Sequence, residues 1–394
     1  MSGRSRSLSL GLLLVAEFGA MSLWFVSSAI LPDLLRASDA GPWRVGLLSM
    51  AVQIGFVIGA LTLAIHGTSD RIDPRRVFAV SALAAAAANL ALIFTAPGGT
   101  AQILSRAVTG MCLAGVYPVG MKIAVGWTLR RRGLVIGALI SALAFGSAAP
   151  HGLALMGGAD WGRTVILASG MAALAGVMIL FTGLGPHHAR AQAFRPGALW
   201  LMWRLRPVRL ATAGYLGHMW ELYAFWAWIG SALIVSFEAG GRADAETLAR
   251  SVTFAAIAFG AGLCIPAGAL ADRIGKARVA GGALALSGSM ALATALSFGG
   301  PAWLTIALVL AWGMFVVPDS AQFSALVADA APPESAGSLI TLQTALGFLL
   351  TVFTIQIAPI LATQFGWPAT LALFGIGPLV GVEAMRRLIA LQRA

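Results

Sequence analysis

The sequence predicts an all-α membrane protein of twelve transmembrane helices, arranged as two pseudo-symmetric six-helix bundles. Three observations predict it: a composition too apolar for a water-soluble core, a train of apolar stretches of membrane-spanning length, and a residue pattern that returns in the second half. Of 394 residues, 59% are hydrophobic and only 10% charged, whereas a soluble domain carries about 25% charged residues. Mean hydropathy is +0.86. Burial inside a soluble fold saturates as domains grow, so lipid must solvate much of this chain.

A span needs roughly 20 mostly apolar residues. Reading apolar stretches between charge, Gly and Pro gives helices at 8–31, 46–66, 77–96, 101–127, 133–155, 163–184, 208–237, 250–271, 278–298, 302–328, 337–362 and 368–385. Arg4 and Arg6 before the first run imitate a signal peptide, but that run is too long and further spans follow, so it reads as the first helix. Cys112 and Cys264 both fall inside spans, which argues against a disulfide, and no metal-ligand spacing occurs.

The net charge of +11 is a matter of placement. With the first terminus inside, the inner loops hold nineteen Lys and Arg and the outer loops five. That bias orients both termini to the cytoplasm, so the chain reads as a multi-pass protein of the cell inner membrane. It also explains the charge without a nucleic-acid partner, for which no basic, aromatic-interleaved patch exists.

The stretch 185–207 is the longest polar interruption on the inner side and separates six spans from six, giving bundles 1–184 and 208–394. Glu17, Ala20, Trp24, Ser27 and Ile30 recur at one constant offset as Glu221, Ala224, Trp228, Ser231 and Ile234. Asp70-Arg71-Ile72 after helix 2 recurs as Asp272-Arg273-Ile274 after helix 8, and Pro118 has a counterpart in Pro318. Two repeated six-helix bundles are a known transporter plan.

The loop Gly268-Ala269-Leu270-Ala271-Asp272-Arg273-Ile274-Gly275-Lys276-Ala277-Arg278 resembles the signature loop of the major facilitator superfamily. Arg106 with Gly110 resembles that superfamily's R-x-x-x-G motif in helix 4. The first-half loop departs from the pattern, with His66 and Asp73 where glycines are expected. The resemblance implies the major facilitator fold, a secondary transporter rather than an enzyme, and a cytoplasmic gate built on Asp70, Arg71, Arg75, Arg76, Gly268, Asp272, Arg273, Gly275, Lys276 and Arg278. Small residues there permit close helix approach, while Asp272 can sit at a helix N-terminus or pair with Arg. The alternative is that these charges only fix topology.

A charge at mid-bilayer costs about 2.5–3.5 kcal/mol even on insertion scales. Glu17, Arg106, Lys122, Glu221 and Asp319 are such charges, on helices 1, 4, 7 and 10 only, and helices 3, 6 and 9 carry none. The family plan makes 1, 4, 7 and 10 the cavity-lining helices. Glu17 and Glu221 each have a Trp seven residues on, Trp24 and Trp228, which places acid and indole on one helix face. His218 lies one turn before Glu221. Either acid can exchange a proton, or a cation can bind between the two; a protonated acid bonding neighbouring helices together is the structural alternative. Lys122 and Asp319 have three readings: an ion pair across the halves, separate service to an anionic substrate and to protons, or a Lys122 that snorkels to the interface.

No Walker loop occurs, so an ion gradient is the expected energy source, and no H-E-x-x-H or G-x-S-x-G marks an enzyme. Helix 5 lacks the Gly-Pro step of drug antiporters, and the helix 4–5 connection is similar to anion-symporter branches, although the helix 2 and 8 arginines of nitrate porters are missing. The expectation is a proton-coupled monomer taking up a small organic anion, with no cofactor or metal. Proton-antiport efflux of a cationic or amphipathic compound, and a non-transporting membrane sensor, are the alternatives.

Overall fold

The computed structural model describes residues 5–66, 71–127, 132–157, 160–186, 198–332 and 335–393. Arg4, Asp70, Arg130, Arg131, His187, His188, Arg190 and Arg195 lie outside the described residues, as does the part 187–197 of the expected linker. The described residues are helices joined by turns and short loops, with no strand among them. They form two compact units, Met1–Ala191 and Gln192–Ala394.

The first unit contains α1 (Arg6–Met21), α2 (Val26–Ala29), α3 (Leu31–Arg36), α4 (Pro42–His66), α5 (Pro74–Leu90), α6 (Thr100–Leu113), α7 (Tyr117–Val125), α8 (Arg132–Gly157) and α9 (Trp161–Met178). The second contains α10 (Ala198–Arg204), α11 (Arg206–Ala239), α12 (Ala245–Ile274), α13 (Lys276–Leu296), α14 (Ala302–Val316), α15 (Ser320–Ala330), α16 (Ala336–Phe374) and α17 (Ile376–Arg393).

Among the described residues, ten stretches are long and apolar enough to cross a bilayer. Helix α1, at 16 residues, falls short of a span because the chain breaks at Ser22–Phe25. The last stretch, Ala336–Arg393, has 58 residues and at 1.5 Å each measures about 87 Å, far more than a hydrocarbon core of about 30 Å. It divides where Gly366 takes φ 80° and ψ 164°, a conformation that favours glycine.

Three segments expected to be continuous are broken. The segment 101–127 divides between α6 and α7, and 302–328 divides between α14 and α15. Pro118 and Pro318 account for both: proline has no N–H to continue the ladder, and its ring crowds the carbonyl four residues back. The segment 8–31 breaks without a proline. There the Ser22 hydroxyl donates to Gly19 O at 2.7 Å and reaches Ala168 O at 3.3 Å, and the following carbonyls are drawn into a side-chain contact described below.

Each unit closes the crossing of its second and fourth spans on glycine. In the first, a Cβ at Gly55 would lie 1.9 Å from Ala107 O, one at Gly59 2.2 Å from Met111 O, and one at Gly110 1.9 Å from Val52 O, so α4 and α6 run backbone to backbone. In the second, Gly260 would meet Gly313 O at 2.3 Å and Gly313 would meet Ala256 O at 2.2 Å, which joins α12 to α14 in the same way. Lipid gives no hydrophobic drive to helix association, so close van der Waals approach supplies it instead. Gly313→Val should therefore lower stability by about 3 kcal/mol, read as thermal unfolding in detergent. Gly262→Ala, on α12 with open space around it, should leave the transition unchanged.

Candidate functional site

Glu17 sits near the end of α1 and is wholly buried. Neither carboxylate oxygen has a hydrogen-bond partner among the described residues. The space for it comes from Gly120 of α7, where a Cβ would stand 2.5 Å from Glu17 Oε2, beside the ring of Phe78 from α5. The expected Glu17–Trp24 face does not form, because Trp24 lies beyond the break in α1. Its ring packs instead on Phe56, centroids 5.0 Å apart.

Arg106 accounts for that break. Its guanidinium is fully buried and donates from Nη2 to the carbonyls of Leu23 and Trp24 at 2.8 and 2.7 Å, and from Nη1 to Asn89 Oδ1 at 2.7 Å. Asn89 in turn donates to Ser169 at 3.0 Å. Carbonyls released at a helix end need donors, and a cation there also suits the helix dipole. Arg106 is thus committed to holding α1, α5 and α9 in register.

The second unit treats its acid differently. Glu221 is also wholly buried, yet it accepts from Ser287 Oγ of α13 at 2.8 Å and from Trp312 Nε1 of α14 at 2.7 Å. One turn earlier on α11, His218 Nδ1 stands 2.9 Å from Asp319 Oδ1, and its Nε2 is 2.8 Å from Ser320 Oγ. The imidazole therefore stands between consecutive residues at the break between α14 and α15, hydrogen-bonded at Nε2 and within ion-pair distance at Nδ1. Tyr215 and Phe323 flank it, with ring centroids 6.1 and 5.7 Å away. Trp228 serves as a strut, donating from Nε1 to Ile355 O at 3.0 Å. Lys122 is half-buried on α7 of the first unit.

Beyond their first turns α5, α9 and α13 carry no charge, but each supplies an uncharged partner to a charged or polar group: Asn89 on α5, Ser169 on α9 and Ser287 on α13. Charge counting passes over these residues, as it does Gly120 and Ser320. Two signals were present: Asn89 is the one amide in an alanine-rich span, and Trp312 is a mid-span indole away from the interfacial belts.

At the gate loops, Asp73 caps α5 by accepting from Arg75 N at 2.9 Å. The Arg75 guanidinium pairs back with Asp73 at 2.6 Å and donates to Thr182 O at 3.0 Å. That side-chain bond, ahead of the cost of partial burial, holds the Asp73 carboxyl below the usual carboxylate range. Arg71 and Arg76 are exposed. In the second unit α12 runs through Ile274, so Asp272 lies in its last turn rather than at a helix N-terminus, and it is exposed. Gly275, with φ 100°, makes the turn into α13, Gly268 is part of α12, and Arg273 is exposed beside Asp272. Lys276 pairs with Asp329 at the end of α15, and Arg278 Nη1 donates to Ile274 O at 2.9 Å.

Arg106→Ala should cost about 3–5 kcal/mol of stability, as removing one side of a buried charged contact does, and Arg106→Lys should recover only part because an ammonium lacks the planar fork. Asp73→Ala should cost about 1 kcal/mol at neutral pH. Because the folded-state carboxyl is depressed, this contribution is present above the ordinary carboxylate range and fades as pH falls through the lowered value. Thermal melts of mutant and parent across pH would show the gap closing in acid.

The model of the Major Facilitator Superfamily matches residues 13–355. Among solved structures, the chain is similar to a D-xylose–proton symporter, with a TM-score of 0.74, 15% identity, and coverage of 98% of this chain and 97% of that one. It is also similar to the xylose transporter XylE from E. coli in a partially occluded inward-open conformation, with a TM-score of 0.73, 13% identity, and coverage of 96% and 98%. No curated protein matches the chain in sequence. The identities are low and carry the fold alone, whereas the family model covers most of the chain. The expected all-α membrane architecture is therefore the major facilitator fold, and the chain belongs to the Major Facilitator Superfamily as a membrane transporter, not an enzyme.

Proposed function

We propose that this chain is a proton-coupled secondary transporter of the cell inner membrane, with both termini cytoplasmic, that takes up a small organic anion by alternating access. Glu17 is assigned the coupling proton. The bundles 1–184 and 208–394, joined by 185–207, are its two functional halves, and a single copy suffices.

The contrast between the two repeated acids carries this reading. An ionised carboxylate buried without a counter-charge or donors costs several kcal/mol. The surroundings of Glu17 therefore accommodate the acid and not the ion, and losing the proton requires those surroundings to change. That requirement is what coupling needs: the proton moves only when the helices move. Glu221 already has a donor on each oxygen, so its ionisation demands less rearrangement than that of Glu17, and it serves as a strut between α11, α13 and α14.

For the solute, Lys122 supplies the cationic contact, since Arg106 is spent on backbone carbonyls and Asn89. The opposite reading, antiport of a cation, has one observation in its favour. Once ionised, the carboxylate of Glu17 is itself a cation site, so proton and cation can alternate there.

Purified protein in liposomes loaded with a pH dye, challenged with small organic anions and cations in turn, separates the two. Anion symport acidifies the lumen on addition of external anion, whereas cation antiport alkalinises or acidifies it according to which way the cation is driven. Glu17→Gln should abolish accumulation driven by a pH gradient. Glu221→Gln should retain it and cost about 1 kcal/mol of stability. Full pH-driven accumulation by Glu17→Gln would remove the assignment.

A further inference from the structure

The short helix α10 (Ala198–Arg204) precedes the first turn of α11 and packs on α11 and α16, with Met202 buried. Trp200 and Trp203 are three residues apart, hence neighbours on one helix face, and stand 62% and 60% exposed. The guanidinium of Arg204 lies over the Trp200 ring, 5.1 Å from its centroid. Arg206 and Arg209 follow at the start of α11, both exposed, and Arg209 Nη1 donates to Trp203 O at 3.0 Å. Among the described residues none of these three guanidiniums has a carboxylate partner. The contrast within the same unit is Arg386 and Arg387, which both bind Glu383 at 2.7 Å.

Two indoles and three unneutralised guanidiniums at the foot of a membrane-spanning helix fit one environment. Indole is most favoured where the acyl chains meet the headgroups. Guanidinium binds phosphate oxygens through paired N–H donors, and basic side chains next to a membrane attract anionic lipid. The stacking of Arg204 on Trp200 fixes the plane of its fork, and the hydrogen bond from Arg209 to the Trp203 carbonyl ties the third arginine to the same corner.

We propose that this corner is a binding site for the phosphate of an anionic phospholipid, with Trp200 and Trp203 seated at the acyl boundary and Arg204, Arg206 and Arg209 on the headgroup. The site is separate from the buried acids of α11 and does not depend on the transported solute. Its effect is to pin the N-terminal end of the helix that carries His218 and Glu221 to the lipid surface.

The test is native mass spectrometry of the full chain, purified in detergent and titrated with phosphatidylglycerol or with phosphatidylcholine. The parent protein should retain phosphatidylglycerol in preference. Replacing Arg204, Arg206 and Arg209 together with alanine should weaken that retention on the order of a hundredfold, at about 1 kcal/mol per arginine. Arg204→Ala alone should weaken it by about fivefold on the same scale, and this single variant serves if the triple one does not fold. Trp200→Phe with Trp203→Phe should keep most of the binding, and the two alanine replacements should lose it. Arg386→Ala with Arg387→Ala should leave it unchanged. Equal retention of phosphatidylcholine, undiminished retention by the arginine variants, or an equal loss in the Arg386/Arg387 variant would overturn the proposal.

Discussion

A guanidinium taken out of water must be given acceptors, and in the first unit that requirement shapes the helices around Arg106. Three acceptors surround it: the carbonyls of Leu23 and Trp24, and the amide of Asn89. The two carbonyls are available only because α1 ends at Met21. Break and cation therefore stabilise each other: the break exposes carbonyls that an uninterrupted helix would consume, and the arginine satisfies them. Through Asn89 and Ser169 the same network reaches α5 and α9. The position of Glu17, a turn before the break and opposite Gly120, follows from this arrangement.

The two units share a plan but not a chemistry. Both cross their second and fourth spans on glycine, both break the fourth at a proline, and both bury a glutamate on the first. In the second unit α11 runs unbroken for 34 residues, and its acid is tied to Ser287 and Trp312. The break between α14 and α15 is used instead to hold His218 between Asp319 and Ser320. One repeat thus places an acid where nothing stabilises its charge, and the other places an acid where two donors do. The difference lies in the neighbours: a glycine faces the carboxylate of Glu17, and an indole and a hydroxyl face that of Glu221.

Much of this was legible along the chain. The cost of a charge in hydrocarbon is a local property, so Glu17, Arg106, Glu221 and Asp319 stood out before any packing was known, and all four are buried. The duplicated Glu-to-Trp pattern and the two prolines marked the repeat for the same reason. The continuity of helix 1 was misread, because its break contains no proline and depends on a side chain more than eighty positions away. Of the two roles open to Asp272, a helix N-terminus or a pair with Arg, the first does not arise, because its helix runs on through Ile274 to the turn at Gly275.

The sequence by itself determined the solvent, the approximate spans, the internal repeat and the identity of the costly buried groups. Each of these follows from the free energy of moving individual residues between water and lipid. The tertiary structure alone decided which acid is satisfied and which is not, that Arg106 is consumed by backbone, and that His218 stands 2.9 Å from Asp319. Those outcomes depend on which helices come to lie side by side, and partner choice at a few ångströms is a property of packing that no single stretch of chain encodes.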